Sequence, residues 1–164
     1  VYMCFVYVSP TRIYSENLFD NIEKDISDFC KLGSVMLMGD FNAHTMVEEE
    51  FIKNDSNDIY QILPDEYDVN TVLLPRNNKD ATNICKNGRD LIDLCVTCNM
   101  IIVNGRKPGD LFGHFTHYQS NCNPSVIDYC VVDKEIWSAI KNFIVSDLTP
   151  YSDHSMLRAK LNLS

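Results

Sequence analysis

Residues 34–44 read Ser-Val-Met-Leu-Met-Gly-Asp-Phe-Asn-Ala-His, and no other stretch restricts the fold as strongly. Val35, Met36, Leu37 and Met38 form an unbroken apolar run, the pattern of a strand covered on both faces. Gly39 permits unusual backbone angles directly after it. Asp40 and Asn42 follow at the strand's mouth. A rigid strand that hands over to polar groups through a glycine is how α/β proteins present chemistry, since the strand fixes positions that a free loop would blur. A carboxylate and an amide so placed suit a hard cation and a phosphate oxygen. The same residues also make an ordinary capped turn, because Gly, Asp and Asn lead the turn residues.

The flanks decide the fold class. Residues 1–8 are rich in β-branched and aromatic side chains and read as an interior strand, closed by Ser9 and Pro10. Ser15 can cap a helix, with Glu16 in its first turn. Leu18, Ile22, Ile26 and Phe29 then recur at helical spacing, and Gly33 ends the helix. Strand, helix and strand in succession predict two strands of one sheet. A second helix is expected over residues 88–98, ended by Asn99, with a short buried strand at 100–103. Short strands are expected at 114–118, 126–132, 140–145 and 156–163. Residues 48–80 are polar and broken by Pro64 and Pro75, and read as a long surface excursion with a short helix near 48–53. The 164 residues form one domain, an α/β sandwich with helices outside its sheets.

Seven cysteines are an odd number, and they lie mostly inside apolar segments. Cys4, Cys30, Cys95 and Cys98 are read as buried reduced thiols of an intracellular protein, nuclear or cytoplasmic, rather than a disulfide framework. Cys95 and Cys98 have no second pair at zinc spacing. No apolar run is long enough to cross a bilayer, and residues 1–10 lack the pattern of a signal peptide. The formal charge of −9 argues against sequence-blind binding of nucleic acid through Lys and Arg. A nucleic-acid function must then rest on a local site, a metal or another part of the protein.

Three polar clusters follow or interrupt apolar strands. Asp40 with Asn42 is the first. Asp128, within Ser-Val-Ile-Asp-Tyr-Cys-Val-Val at 125–132, is the second, and an acid among such neighbours is costly unless paired. Ser152, Asp153 and His154 form the third. Adjacent side chains on a strand point to opposite faces, so His154 must find its carboxylate elsewhere. Asp128 is the natural partner, and Asp153 is left to join Asp40 near a cation. An Asp-polarised imidazole, a hard-metal site and an amide are enough to activate water and neutralise a phosphoryl oxygen. Each cluster alone also reads as a turn, a cap or a buried structural acid. His44, His114 and His117 are weaker candidates, His117 as the edge of a strand.

Gly-Asp-Phe-Asn at 39–42, Ser-Val-Ile-Asp-Tyr at 125–129 and Ser-Asp-His at 152–154, in this order, resemble the endonuclease/exonuclease/phosphatase superfamily. Asp-Phe-Asn-Ala-His at 40–44, Asn-Gly-Arg-Asp-Leu-Ile-Asp-Leu-Cys at 87–95, Val-Asn-Gly-Arg at 103–106 and Gly-Asp-Leu-Phe-Gly-His-Phe-Thr at 109–116 are similar to the endonuclease domains of LINE-type (non-LTR) retrotransposon proteins. The resemblance implies the C-terminal portion of a four-layer fold, two packed sheets with helices outside. It implies a magnesium- or manganese-dependent phosphodiesterase that nicks DNA, with no membrane partner. In that reading Asp40 positions or deprotonates the attacking water, and Asn42 orients it and contacts the phosphate. Asp153 and Asp40 hold the metal. His154, oriented by Asp128, stabilises or protonates phosphoryl oxygens, and Tyr7 approaches the phosphate.

The resemblance also implies a preceding strand-rich half with a metal-binding glutamate and a phosphate-contacting asparagine, and nothing before Val1 supplies them. Metal binding is expected to suffer, and an apolar sheet edge or face to stay uncovered and open to self-association. Catalysis by these residues alone is therefore left open. So are a phosphomonoesterase or lipid-phosphate phosphatase, which the acidic charge suits, and a non-catalytic remnant acting through protein contacts.

Overall fold

The computed structural model describes residues 1–11, 17–51, 75–120 and 122–162. Strand β1 (Tyr2–Tyr7) leads to helix α1 (Leu18–Cys30) and strand β2 (Val35–Asp40). Helix α2 (Lys86–Thr97), strand β3 (Ile101–Ile102) and strand β4 (Asp128–Val132) follow. Helix α3 (Lys134–Ala139), strand β5 (Ile140–Val145) and strand β6 (Leu157–Leu161) complete the order. The proposed cap at Ser15 and Glu16, and most of the 48–80 excursion, lie outside the described residues.

One sheet has the order β1-β2-β4-β3, with β1 parallel to β2 and the other pairs antiparallel. Strands β5 and β6 form a separate antiparallel pair. The alternation of side chains along β2 and β4 divides the interior. Val35, Leu37, Tyr129 and Val131 pack against Ile22 and Ile26 of α1 and Leu91, Leu94 and Cys95 of α2. Met36, Cys130 and Val132 face the other way, onto Ile136, Ile140, Phe143 and the half-buried Leu157, Ala159 and Leu161. Helices outside, then sheet against sheet, is the expected α/β sandwich. The apolar stripe of α1 gives its inner face, and Gly33 closes it with an N–H donated to the Phe29 carbonyl. Asn99, in the left-handed region at φ 51°, closes α2 as anticipated.

Several expectations need correction. Strand β1 is an edge strand, not an interior one, and all its residues except Val6 are exposed. Its apolar content does point inward at Val6 and Val8, but Met3, Phe5 and Tyr7 lie on a face that β5 and β6 do not reach. Residues 114–118 form no strand; only isolated bridges tie His117 to Ser125 and to His154. Residues 48–51 are not helical. The described ends of the excursion are not wholly superficial, since Glu50, Arg76 and Asp80 are buried: the Glu50 carboxylate lies among the Arg76 and Arg106 guanidiniums and accepts the Ile102 N–H. Cys4 and Cys30 are exposed, whereas Cys95 and Cys130 are buried, and all seven thiols are free. Helix α3 was not anticipated; Asp133 caps it by accepting the Ile136 N–H. Among the described residues no helix is long and apolar enough to cross a membrane.

Candidate active site

The end of β2 is held in place by packing. Phe41 is fully buried on the helix side, edge-on to Tyr129, so the alternation throws Asp40 and Asn42 toward the opposite side. Gly39 is demanded by close approach, because a Cβ there would lie 2.0 Å from the Val6 carbonyl oxygen. Asn42 takes a left-handed φ of 45°, which Asn tolerates better than most residues. Asp40 fixes that turn by accepting the Asn42 backbone N–H at 2.8 Å and its side-chain amide at 3.1 Å. The amide also donates to the Val8 carbonyl at 2.7 Å, which ties the turn to β1.

Strand register then sets a row of three functional groups. Tyr7 pairs with Asp40 across the parallel ladder, and Asp40 pairs with Asp128 across the antiparallel one. Directly paired residues share a face, so the phenol and two carboxylates stand side by side at one end of the sheet. Asp128 is buried, while Tyr7 is 70% exposed. The segment leading into β6 brings His154 over this row, its Nδ1 3.0 Å from each Asp128 oxygen. The anticipated Asp128–His154 contact is thus present. Thr116 supports it from below, accepting the N–H groups of Ile127 and Asp128. Asn104 brackets β4 by donating to the Asp128 carbonyl and accepting the Cys130 N–H.

The electrostatics follow from this crowding. Burial raises the Asp128 carboxyl above the ordinary carboxylate value, hydrogen bonds from Thr116 and His154 pull it back, and the Asp40 charge pushes it up again. For the His154 imidazole burial acts downward, but the hydrogen bond to Asp128 and the charges of Asp128, Asp40 and Asp153 prevail and leave it raised. Ligand atoms of Asp40, Asp128 and His154 all lie within 4.8 Å of one another, a donor set that a divalent cation fits. Asp153 falls in a different group. Its carboxylate lies 3.6 Å from His117 Nε2, and it clusters with His117 and His154 rather than with Asp40.

His117 is therefore part of the pocket's surroundings, although its sequence context pointed only to a strand edge. A histidine in a Phe-Thr-His-Tyr setting carries no signal for this; the pairing with His154 is made by two loops remote in sequence. His44 and His114 lie elsewhere, bound to the buried carboxylates of Asp80 and Asp110. Burial raises the Tyr129 phenol to about 12, and its hydroxyl bonds with Thr45, Ala43 and Val126, which makes it a structural group.

A family model described as endonuclease-reverse transcriptase matches residues 1–158. The chain belongs to that family, within the endonuclease/exonuclease/phosphatase superfamily. Solved structures agree on the fold. A 3′-5′ exonuclease from Neisseria meningitidis matches with a TM-score of 0.63 and 14% identity, covering 98% of this chain and 61% of that one. A Neisseria 3′ phosphatase bound to a product DNA hairpin gives 0.64 and 14%, with the same coverage. The endonuclease domain of TRAS1, a telomere-specific non-LTR retrotransposon, gives 0.54 and 16%, covering 96% of this chain and 55% of that one. The chain thus spans 55–61% of the length of these structures. No curated protein matches the sequence.

Proposed function

We propose that the pocket of Asp40, Asp128 and His154 hydrolyses phosphodiesters with the help of magnesium or manganese, and that in the whole protein its substrate is DNA, which it nicks. The observation that carries this reading is the convergence of two carboxylates and an acid-polarised imidazole at one end of the sheet. Asp40 and Asp128 would hold the cation with their carboxylate oxygens. When bound, such a cation polarises a phosphoryl oxygen and offsets the charge that develops on it.

The remaining steps belong to the side chains. Asp40 orients the attacking water and draws on its proton. Asn42 has both amide protons engaged by Val8 and Asp40, so it acts first as a positioning residue for Asp40. Asp128 accepts a hydrogen bond from His154 Nδ1–H and leaves Nε2 for the phosphoryl oxygens, and the raised imidazole holds a proton there readily. Tyr7 supplies an exposed phenol next to Asp40 for a further phosphate contact. Asp153 contributes through its charge on His154.

Nicking of supercoiled plasmid by the chain with Mg²⁺, compared with Asp40→Ala and His154→Ala, tests the reading. Loss of one general acid or base lowers the rate by about 10²–10⁴-fold. Equal background from all three proteins would refute it. The acidic charge of −9 favours a phosphomonoester or lipid-phosphate substrate as the alternative within the same chemistry, and inositol phosphates assayed beside abasic DNA separate the two. A non-catalytic contact role is favoured only by the uncovered Met3, Phe5 and Tyr7 face of β1. A stable dimer that binds no metal, seen by sedimentation, would support it.

A further inference from the structure

We propose that His117, Asp153 and His154 form a site for a borderline-soft divalent cation of the zinc class, which shares His154 with the hard-cation pocket of Asp40 and Asp128. Ligand atoms of the three residues lie within 4.8 Å of one another. The His117 and His154 backbones are paired in an antiparallel bridge, which sets the two rings side by side with centroids 4.6 Å apart. Flanking backbone bonds, Tyr118 N–H to the Asp153 carbonyl and Ser155 N–H to the Thr116 carbonyl, hold the two segments in register. The ligands therefore sit on a fixed frame rather than on free loops.

The unshared nitrogens carry the argument further. His154 Nδ1 is engaged by the Asp128 carboxylate, and His117 Nδ1 lies 3.3 Å from the Ser125 hydroxyl. Each ring thus has an oxygen partner on one nitrogen and keeps Nε2 for a metal, the arrangement that orients ligating histidines in zinc sites. The third ligand is in place as well, with Asp153 Oδ2 3.6 Å from His117 Nε2. Ligands of a tetrahedral zinc ion with bonds near 2.0–2.1 Å stand about 3.4 Å apart, so this pair already has nearly the required separation. Two imidazoles and one carboxylate select zinc, cobalt or nickel over magnesium, which prefers oxygen alone. Three protein ligands leave a fourth position open, and the exposed Asp153 provides the way in. A cation held here takes the His154 Nε2 that phosphoryl oxygens would need, so the filled site excludes the hydrolytic role proposed above. The binding itself is measurable whether or not the chain hydrolyses anything.

Co²⁺ added to the whole 164-residue chain, read by visible d–d absorption, tests the site without any nucleic acid. One equivalent is expected to give a spectrum of nitrogen and oxygen ligation, displaced by Zn²⁺ and lacking the near-ultraviolet band of a thiolate, which excludes the free cysteines. His117→Ala and Asp153→Asn are each expected to weaken Co²⁺ binding by about 100-fold, and Ser125→Ala by about 10-fold. Because Asp153 is exposed, its Asn variant keeps the native melting curve and isolates ligation from folding. Unchanged Co²⁺ affinity in both ligand variants overturns the proposal, as does a thiolate spectrum. That outcome would leave His117 and Asp153 as a plain ion pair.

Discussion

Replacing Asp128 by Asn removes one carboxylate from the pocket with almost no change of volume. In the native protein that buried carboxylate receives the His154 Nδ1 proton, with 3.0 Å to each oxygen. A hydrogen bond between charged partners contributes about 1.5–3 kcal/mol. The His154 side chain is 32% exposed, which places this pair near the lower end, about 1.5 kcal/mol when the imidazole is charged. The folded His154 value is raised, so its contribution is fully present below the ordinary value of 6.5 and is lost as the pH rises through the folded value. The Asp128 carboxyl is raised as well, so the native state loses stability as the pH rises above the ordinary carboxyl value of 3.8, and that loss is complete above the folded value. Asn escapes that cost. The variant is therefore less stable by about 1.5 kcal/mol at low pH, roughly 3–6 °C in Tm for a chain of this size, and the deficit shrinks or reverses at high pH. Thermal melts of both proteins in EDTA between about pH 5.5 and 8.5, with NMR titration of the His154 ring, measure this directly. A deficit that stays flat or grows with pH refutes the coupling. In plasmid nicking the same variant should lose about 10²–10⁴-fold in rate, because the imidazole is no longer held in one tautomer.

Two further substitutions probe how the frame holds the pocket. Gly39→Ala would press a Cβ to within 2.0 Å of the Val6 carbonyl oxygen, a backbone atom that cannot yield; a loss of at least about 2 kcal/mol in urea unfolding is expected, with Tyr7 displaced from Asp40 and nicking reduced in step. An unchanged urea midpoint would show that β1 is not packed on β2 as described. Glu50→Gln keeps the shape of the side chain but leaves the buried Arg76 and Arg106 charges without their carboxylate, which should cost about 3–5 kcal/mol by chemical denaturation. A cost below about 1 kcal/mol would mean that water reaches those guanidiniums.

How much of this could be read from the residues depended on how local the cause was. The β1–α1–β2 unit and strand β5 were legible because period and punctuation sufficed, with Gly33 and Asn99 marking helix ends. The partnership of His154 with Asp128 was also reached, but through a strand rule that does not apply there: Asp153 and His154 precede β6, and their side chains converge with His117 instead of diverging. Helix α3 escaped because six residues carry too little periodicity, although Asp133 and Glu135 are a usable start signal. Burial of Glu50 and Arg76 was illegible for a different reason. A charged residue in a polar run looks solvated unless its partner is known, and Arg106 lies 56 residues further on. His117 and the exposed face of β1 fail in the same way, because coverage and pairing are set by elements remote in sequence.

The ladder rung shared by Asp40 and Asp128 shows most directly where stability and chemistry diverge. Like charges directly opposite one another on paired strands cost roughly 0.2–1 kcal/mol, and burial of one of them raises that cost. Packing alone would favour an apolar pair there, since Met38 and Cys130 occupy the next position on the same face. His154 offsets part of the cost through Nδ1, but it can serve only one of the two carboxylates in this way. Asp40 is left with the Asn42 turn as its compensation, and its charge still pushes on Asp128. A divalent cation between the two acids would remove that repulsion and leave the imidazole free for the phosphate. Folding energetics opposes their placement on one rung, whereas the metal-assisted hydrolysis proposed above would require it, which is why that rung carries the proposal.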